Sequence, residues 1–194
     1  MTRIILQSAR EFDLLKPRAD LITTLDIAHA LSLICRFNGH CNRHYSVAQH
    51  SLLVADIVES QGHGPEIQLQ ALLHDAAEAY VGDLVRPLKY HLRRQACGQQ
   101  SDFDRVEERV WEAICDQFEL EPELPFVVHD ADMIALATER RELLPDHPSV
   151  WDCLHGITPH RIELENWTPG QARQAFHDRL LDLLATTHRA RAAA

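Results

Sequence analysis

Along most of this chain the apolar residues recur at the spacing of an α-helix, about 3.6 residues per turn, and proline and glycine fall at the joints. That pattern predicts an all-α bundle. Helices are expected from about Thr24 to Phe37, with Asn38-Gly39-His40 as a glycine C-cap, and from an N-cap at Ser46, where Val47, Val54 and Val58 form one apolar stripe. A third helix opens at Pro65, runs through Tyr80 and is closed by Gly82. DLVRPLKY reads as a fourth helix or an irregular segment, and SDFDRVEERVWEAICDQF starts with a capping box in Ser101 and Asp104. FVVHDADMIALATERRELL and TPGQARQAFHDRLLDLL supply two more helices. Residues 1 to about 22 form an N-terminal segment with a short strand or hairpin, and about 188–194 a frayed tail. With 194 residues, 45% of them hydrophobic, the whole chain is expected to form a single domain.

Ionisable residues interrupt the apolar faces of these predicted helices. His50 lies on the stripe of Val47, Val54 and Val58; His74, Asp75 and Glu78 share one side of a helix otherwise made of Leu and Ala; Asp132 aligns with Val128, Leu136 and Glu139. Such groups are costly on a buried face unless they are paired or bind a metal. Two imidazoles and two carboxylates, His50, His74, Asp75 and Asp132, suit a divalent metal ion that keeps positions open for water and substrate. Neighbours on a helix diverge by about 100°, so His74 and Asp75 converge only on an ion placed between their side chains. Glu78, one turn beyond His74, is near such an ion without being an obvious ligand, which makes it the best general acid or base.

Charge narrows the partners. Nineteen Lys and Arg against 29 Asp and Glu give a formal charge of -10, a field that repels polyanions and excludes coating of nucleic acid. A small anion would need a bound cation and local basic groups, and Lys occurs only at Lys16 and Lys89. No segment has the length and apolarity of a membrane span, and the N-terminus lacks the pattern of a signal peptide, so a cytoplasmic protein is expected. Five cysteines without a CxxC pair indicate neither a disulfide framework nor a zinc ribbon and read as isolated small apolar groups. Trp111, Trp151 and Trp167 read as core or interface anchors.

An ordered His, adjacent His-Asp and distant Asp, here His50, His74-Asp75 and Asp132, resembles the signature of the HD-domain phosphohydrolases. The strings YSVAQHS, LLHDAAEAYVGDLVRPLK and DADMIALATERREL are similar to the small 5'-deoxynucleotidase-like branch, over most of the chain. The resemblance implies a compact helical HD bundle holding one divalent ion (Mn, Co, Zn, Ni, Fe or Mg) on those four residues, and its DAD register favours Asp132 over Asp130. It places Glu78 as catalytic acid or base, with Asp83 orienting water or accepting from substrate. Arg36, fourteen residues before His50, is implied on the substrate phosphate, with Lys89 and Arg86 as further phosphate groups. The implied reaction is hydrolysis of 5'-(deoxy)nucleoside monophosphates to nucleoside and phosphate by a homodimer or higher homo-oligomer. Triphosphohydrolysis of dNTPs and a non-catalytic nucleotide-binding regulatory module are the alternatives.

Overall fold

A computed structural model describes residues 2–96 and 99–192. The chain is mostly helical and begins with a two-stranded antiparallel hairpin, β1 (Arg3–Ile5) and β2 (Glu11–Asp13), in which Ile4 faces Phe12. Two contacts tie the hairpin to the helices. Ser8 donates from its backbone N–H and its hydroxyl to the buried Asp26 carboxylate at 2.9 and 2.8 Å, and the Phe12 ring stacks on Tyr80 with centroids 4.4 Å apart.

Helix α1 (Thr24–Leu33) is capped by Thr23, whose hydroxyl accepts from the Asp26 N–H, and it stops four residues short of the expected end at Phe37. Ile34 turns extended because Cys35 makes an antiparallel bridge to Ser46: the Arg36 N–H donates to the Tyr45 carbonyl at 2.9 Å and the Val47 N–H to the Ile34 carbonyl at 3.0 Å. Arg36–Gly39 is a separate short turn in which Phe37 and Asn38 are left-handed, so Gly39, at φ 77°, serves that turn and not a helix cap. Folding back of the turn also brings the Cys35 and Cys41 sulfurs to 3.6 Å, which corrects the reading of the cysteines as isolated. Cys115 fits that reading, since burial pushes its thiol up to about 12; Cys153 is exposed, and Cys97 lies outside the described residues.

Helix α2 (Val47–Ser60) opens on the Ser46 and Gln49 capping box and is the centre of the bundle, packed on α1, α3 (Pro65–Leu73), α7 (Phe126–Leu143) and α8 (Pro169–Ala192). Val47, Ala48, Val54, Ala55 and Val58 have no exposed surface. Each fully buried Val or Leu contributes about 1.5–3 kcal/mol relative to an exposed one. From α8, Phe176, Leu180 and Leu183 seal α1 and α3. Helical geometry in α8 continues through Ala192, into the segment expected to fray, because Arg191 donates to Glu66 at 2.7 Å and to the Glu119 carbonyl at 2.8 Å; residues 193 and 194 lie outside the described residues.

The continuous helix expected from Pro65 to Tyr80 is broken at Leu73. The chain tightens there through bonds three residues apart, from the Ala76 N–H to the Leu73 carbonyl at 2.8 Å and from the Glu78 N–H to the Asp75 carbonyl at 3.0 Å. A single turn, α4 (Glu78–Val81), follows and is closed by Gly82, at φ 82°. The expected segment around DLVRPLKY is both irregular and helical, because Asp83–Val85 are non-helical and α5 (Arg86–Gln95) begins after them. Helix α6 (Asp102–Phe118) has the capping box of Ser101 and Asp104. Among the described residues, no helix is long and apolar enough to cross a membrane.

Candidate metal centre

His50 has no exposed surface, and its ring is held by one partner: Nδ1 lies 2.6 Å from Oε1 of Glu139 on α7. Its other nitrogen, Nε2, is buried and among the described residues has no hydrogen-bond partner. His74 repeats the arrangement by local means. Sitting at the break after α3, it donates from Nδ1 to the Ala71 carbonyl at 2.8 Å, and its Nε2 is again buried and unpartnered among the described residues. A buried polar atom without a partner is costly, and an imidazole nitrogen left so is available to a ligand.

Asp75 joins the two imidazoles in one cluster, whereas Asp132 lies beside His50 and outside that cluster. The Oδ2 of Asp75 is 3.3 Å from His74 Nε2 and 3.5 Å from His50 Nε2, and the Oδ1 of Asp132 is 3.3 Å from His50 Nε2. One ligand atom from each of His50, His74 and Asp75 lies within 4.8 Å of the other two, so the cluster could hold a metal ion. The tightened turn makes this possible. On a continuous helix Asp75 would point about 100° away from His74, whereas here the neighbours share a centre.

The charges around the centre are strongly coupled. Burial and the Arg36 guanidinium work against a charged imidazole at His50, yet Glu139 and Asp132 outweigh them and push its pKa up to about 10. Burial raises Asp75, but His74, His50 and Arg36 outweigh it and hold the carboxyl well below its usual range. Burial likewise raises Asp132, and His50 and His74 bring it far below normal. Imidazoles facing these carboxylates call for a cation, either a proton or a metal ion.

Four other residues singled out from sequence stand close by. Glu78 is buried, with Oε1 3.5 Å from the Lys89 ammonium and Oε2 unpartnered among the described residues. Burial, with Asp75 and Asp83 behind it, pushes the Glu78 carboxyl well above its usual range, and burial also raises Asp83. Lys89, on α5, donates to Glu107 at 2.9 Å, and Arg86 reaches Asp132 Oδ2 at 2.8 Å. A cavity of about 300 Å3 opens beside them, lined by His74, Asp75, Glu78, Lys89, Glu107 and Trp111 among others. Trp111 also donates from its ring N–H to the Pro122 carbonyl at 2.8 Å, so it is anchored as well as facing the cavity.

Arg36 is more deeply placed than a phosphate-binding arginine in a loop would be. Its Nη2 and Nε donate to Glu139 Oε2 at 2.9 and 3.2 Å, and Nη1 lies 3.7 Å from Asp75 Oδ2. Glu139 itself has no exposed surface and was given no role by the sequence, although it aligns with Asp132 on the stripe of α7. A second carboxylate on an apolar stripe, two turns after a candidate ligand, was the available signal.

No family model matches the chain. It is 39% identical over 177 residues to the uncharacterized protein YfdR of Escherichia coli (strain K12), a match covering 91% of this chain and 92% of YfdR. The chain belongs to the YfdR family. A second relative, the uncharacterized protein RCAP_rcc00048 of Rhodobacter capsulatus, is 44% identical over 86 residues, 42% of this chain and 44% of that protein.

Proposed function

We propose that this chain is a metal-dependent phosphohydrolase of the HD superfamily that hydrolyses 5'-(deoxy)nucleoside monophosphates to nucleoside and phosphate. The observation that carries the reading is the convergence of the His50 and His74 Nε2 atoms with Asp75, and Asp132 3.3 Å from His50 Nε2 adds a second carboxylate to a mixed nitrogen and oxygen donor set. His50, His74, Asp75 and Asp132 would hold one divalent ion of the Mn, Co, Zn, Ni, Fe or Mg class, which when bound polarises a phosphoryl oxygen and lowers the pKa of a water. The remaining steps belong to the protein. Glu78, whose carboxyl burial raises well above its usual range, gives its proton to the leaving 5' oxygen and is reprotonated by the proton that the attacking water loses, and Asp83 orients that water. Arg36, Lys89 and Arg86 set positive charge around the phosphate against the acidic surface of the chain. The cavity, about 300 Å3, opens beside His74, Asp75, Glu78 and Lys89 and gives a small phosphate ester access to them.

The test is chromatography of a panel of dNMPs, NMPs and dNTPs incubated with each divalent metal and with a chelator. Orthophosphate and nucleoside from monophosphates, suppressed by the chelator, is the expected result. Tripolyphosphate released from dNTPs would replace this reading with a triphosphohydrolase. Nucleotide binding without turnover across the panel would replace it with a regulatory module.

A further inference from the structure

We infer that Glu139 is a positioning residue which fixes both the metal-facing nitrogen of His50 and the phosphate-facing edge of Arg36. The inference rests on the reading of the centre as a metal site. Both carboxylate oxygens of Glu139 are committed, Oε1 to His50 Nδ1 at 2.6 Å and Oε2 to Arg36 Nη2 and Nε at 2.9 and 3.2 Å, and the side chain has no exposed surface. A carboxylate on Nδ1 holds a proton there, so that Nε2, which faces Asp75 and Asp132, is the nitrogen left to take the ion. The same carboxylate grips the Nε and Nη2 edge of the guanidinium, so that only Nη1 is turned toward Asp75 and the centre, at 3.7 Å. Glu139 lies seven residues after Asp132, two turns along α7, so one rigid helix carries both a ligand and the group that orients another ligand. Loss of the carboxylate leaves Arg36 with Asp75 as its nearest remaining acidic partner. The guanidinium then competes with the ion for Oδ2.

The experiment uses the full chain, stripped of metal and titrated with Zn2+ or Mn2+ by calorimetry, followed by inorganic phosphate at saturating metal. Wild type is compared with Glu139→Gln, Glu139→Asp and Arg36→Lys. For Glu139→Gln the expected loss of metal affinity is about 10–100-fold, the usual range for removal of such a partner, and phosphate binding weakens as well. Glu139→Asp recovers part of both, whereas Arg36→Lys weakens phosphate and leaves metal affinity close to wild type. A folded Glu139→Gln protein with wild-type affinity for metal and phosphate would reduce Glu139 to a structural partner of buried cations. Should Glu139→Gln fail to fold, nitrogen NMR of the Zn-loaded wild type decides: a proton on Nδ1 of His50 is expected, and metal on Nδ1 overturns the inference. A wild type that binds no metal removes the centre and this inference together, a result distinct from a variant that binds as well as wild type.

Discussion

His50 and Glu139 have no exposed surface, whereas no residue of α5 is buried and the Arg86 side chain is half exposed. One wall of the candidate centre is therefore part of the core, and the other is a helix held beside it by ion pairs. On α2 and α7 a side chain is placed by close packing, which tolerates little displacement. On α5, Lys89 and Arg86 are placed by bonds to Glu107, Glu78 and Asp132, and partly exposed pairs of this kind are individually weak and screened by salt. The wall of candidate ligands is thus preorganised, whereas the basic wall is held by pairs that can exchange partners.

The same contrast explains what the sequence made legible. The stripes of α2 and α7 carry His50 and Asp132 at positions that period alone identifies, and the capping boxes at Ser46 and Ser101 mark two helix starts. Non-local bonding set what period could not reveal. The end of α1 depends on a bridge from Cys35 to Ser46, and the break after Leu73 depends on a switch to bonds three residues apart in an Ala-rich run with good helix propensity. Glu139 lay in view on the correct stripe, but its role depends on Arg36, which is 103 residues distant in sequence.

The largest expected effect lies in the core wall. His74→Ala removes one of the two imidazoles of the candidate cluster, so metal stoichiometry by elemental analysis after gel filtration should fall to background. In wild type, metal at a hundredfold excess over its dissociation constant should stabilise the fold by about 2.7 kcal/mol, read as a rise in Tm that the variant lacks. Retained metal in His74→Ala would break the comparison, because the ion would then be held by other groups.

Next comes a pair of leucines. Leu72 on α3 is fully buried and Leu88 on α5 is 45% exposed. Leu72→Ala should cost about 2–5 kcal/mol in denaturant unfolding through transfer and cavity terms. Leu88→Ala should stay within about 0.5 kcal/mol of wild type. Equal costs would mean that α5 is as firmly packed as the core and that its basic groups are no more adjustable than the ligands.

Glu78 stands where the two walls meet, and it yields the smallest effect with the most specific sign. Lys89 faces it from α5, with Glu107 of α6 behind that lysine, and Asp75, Asp83 and Arg36 act on it from the core side. Burial raises its folded pKa above the unfolded value, so its contribution to stability is full below the ordinary carboxylate range and is lost as pH rises through the folded pKa. Glutamine has no proton to lose, so Glu78→Gln should gain on wild type as pH increases, by up to about 1.4 kcal/mol per pH unit inside that window. Thermal unfolding of the chelator-treated proteins from pH 5 upward reads the difference, and titrations common to both proteins cancel to first order. A gap that stays flat or narrows would mean that the Lys89 ammonium, not burial, governs Glu78, and that the basic wall is fixed more firmly than its exposure implies.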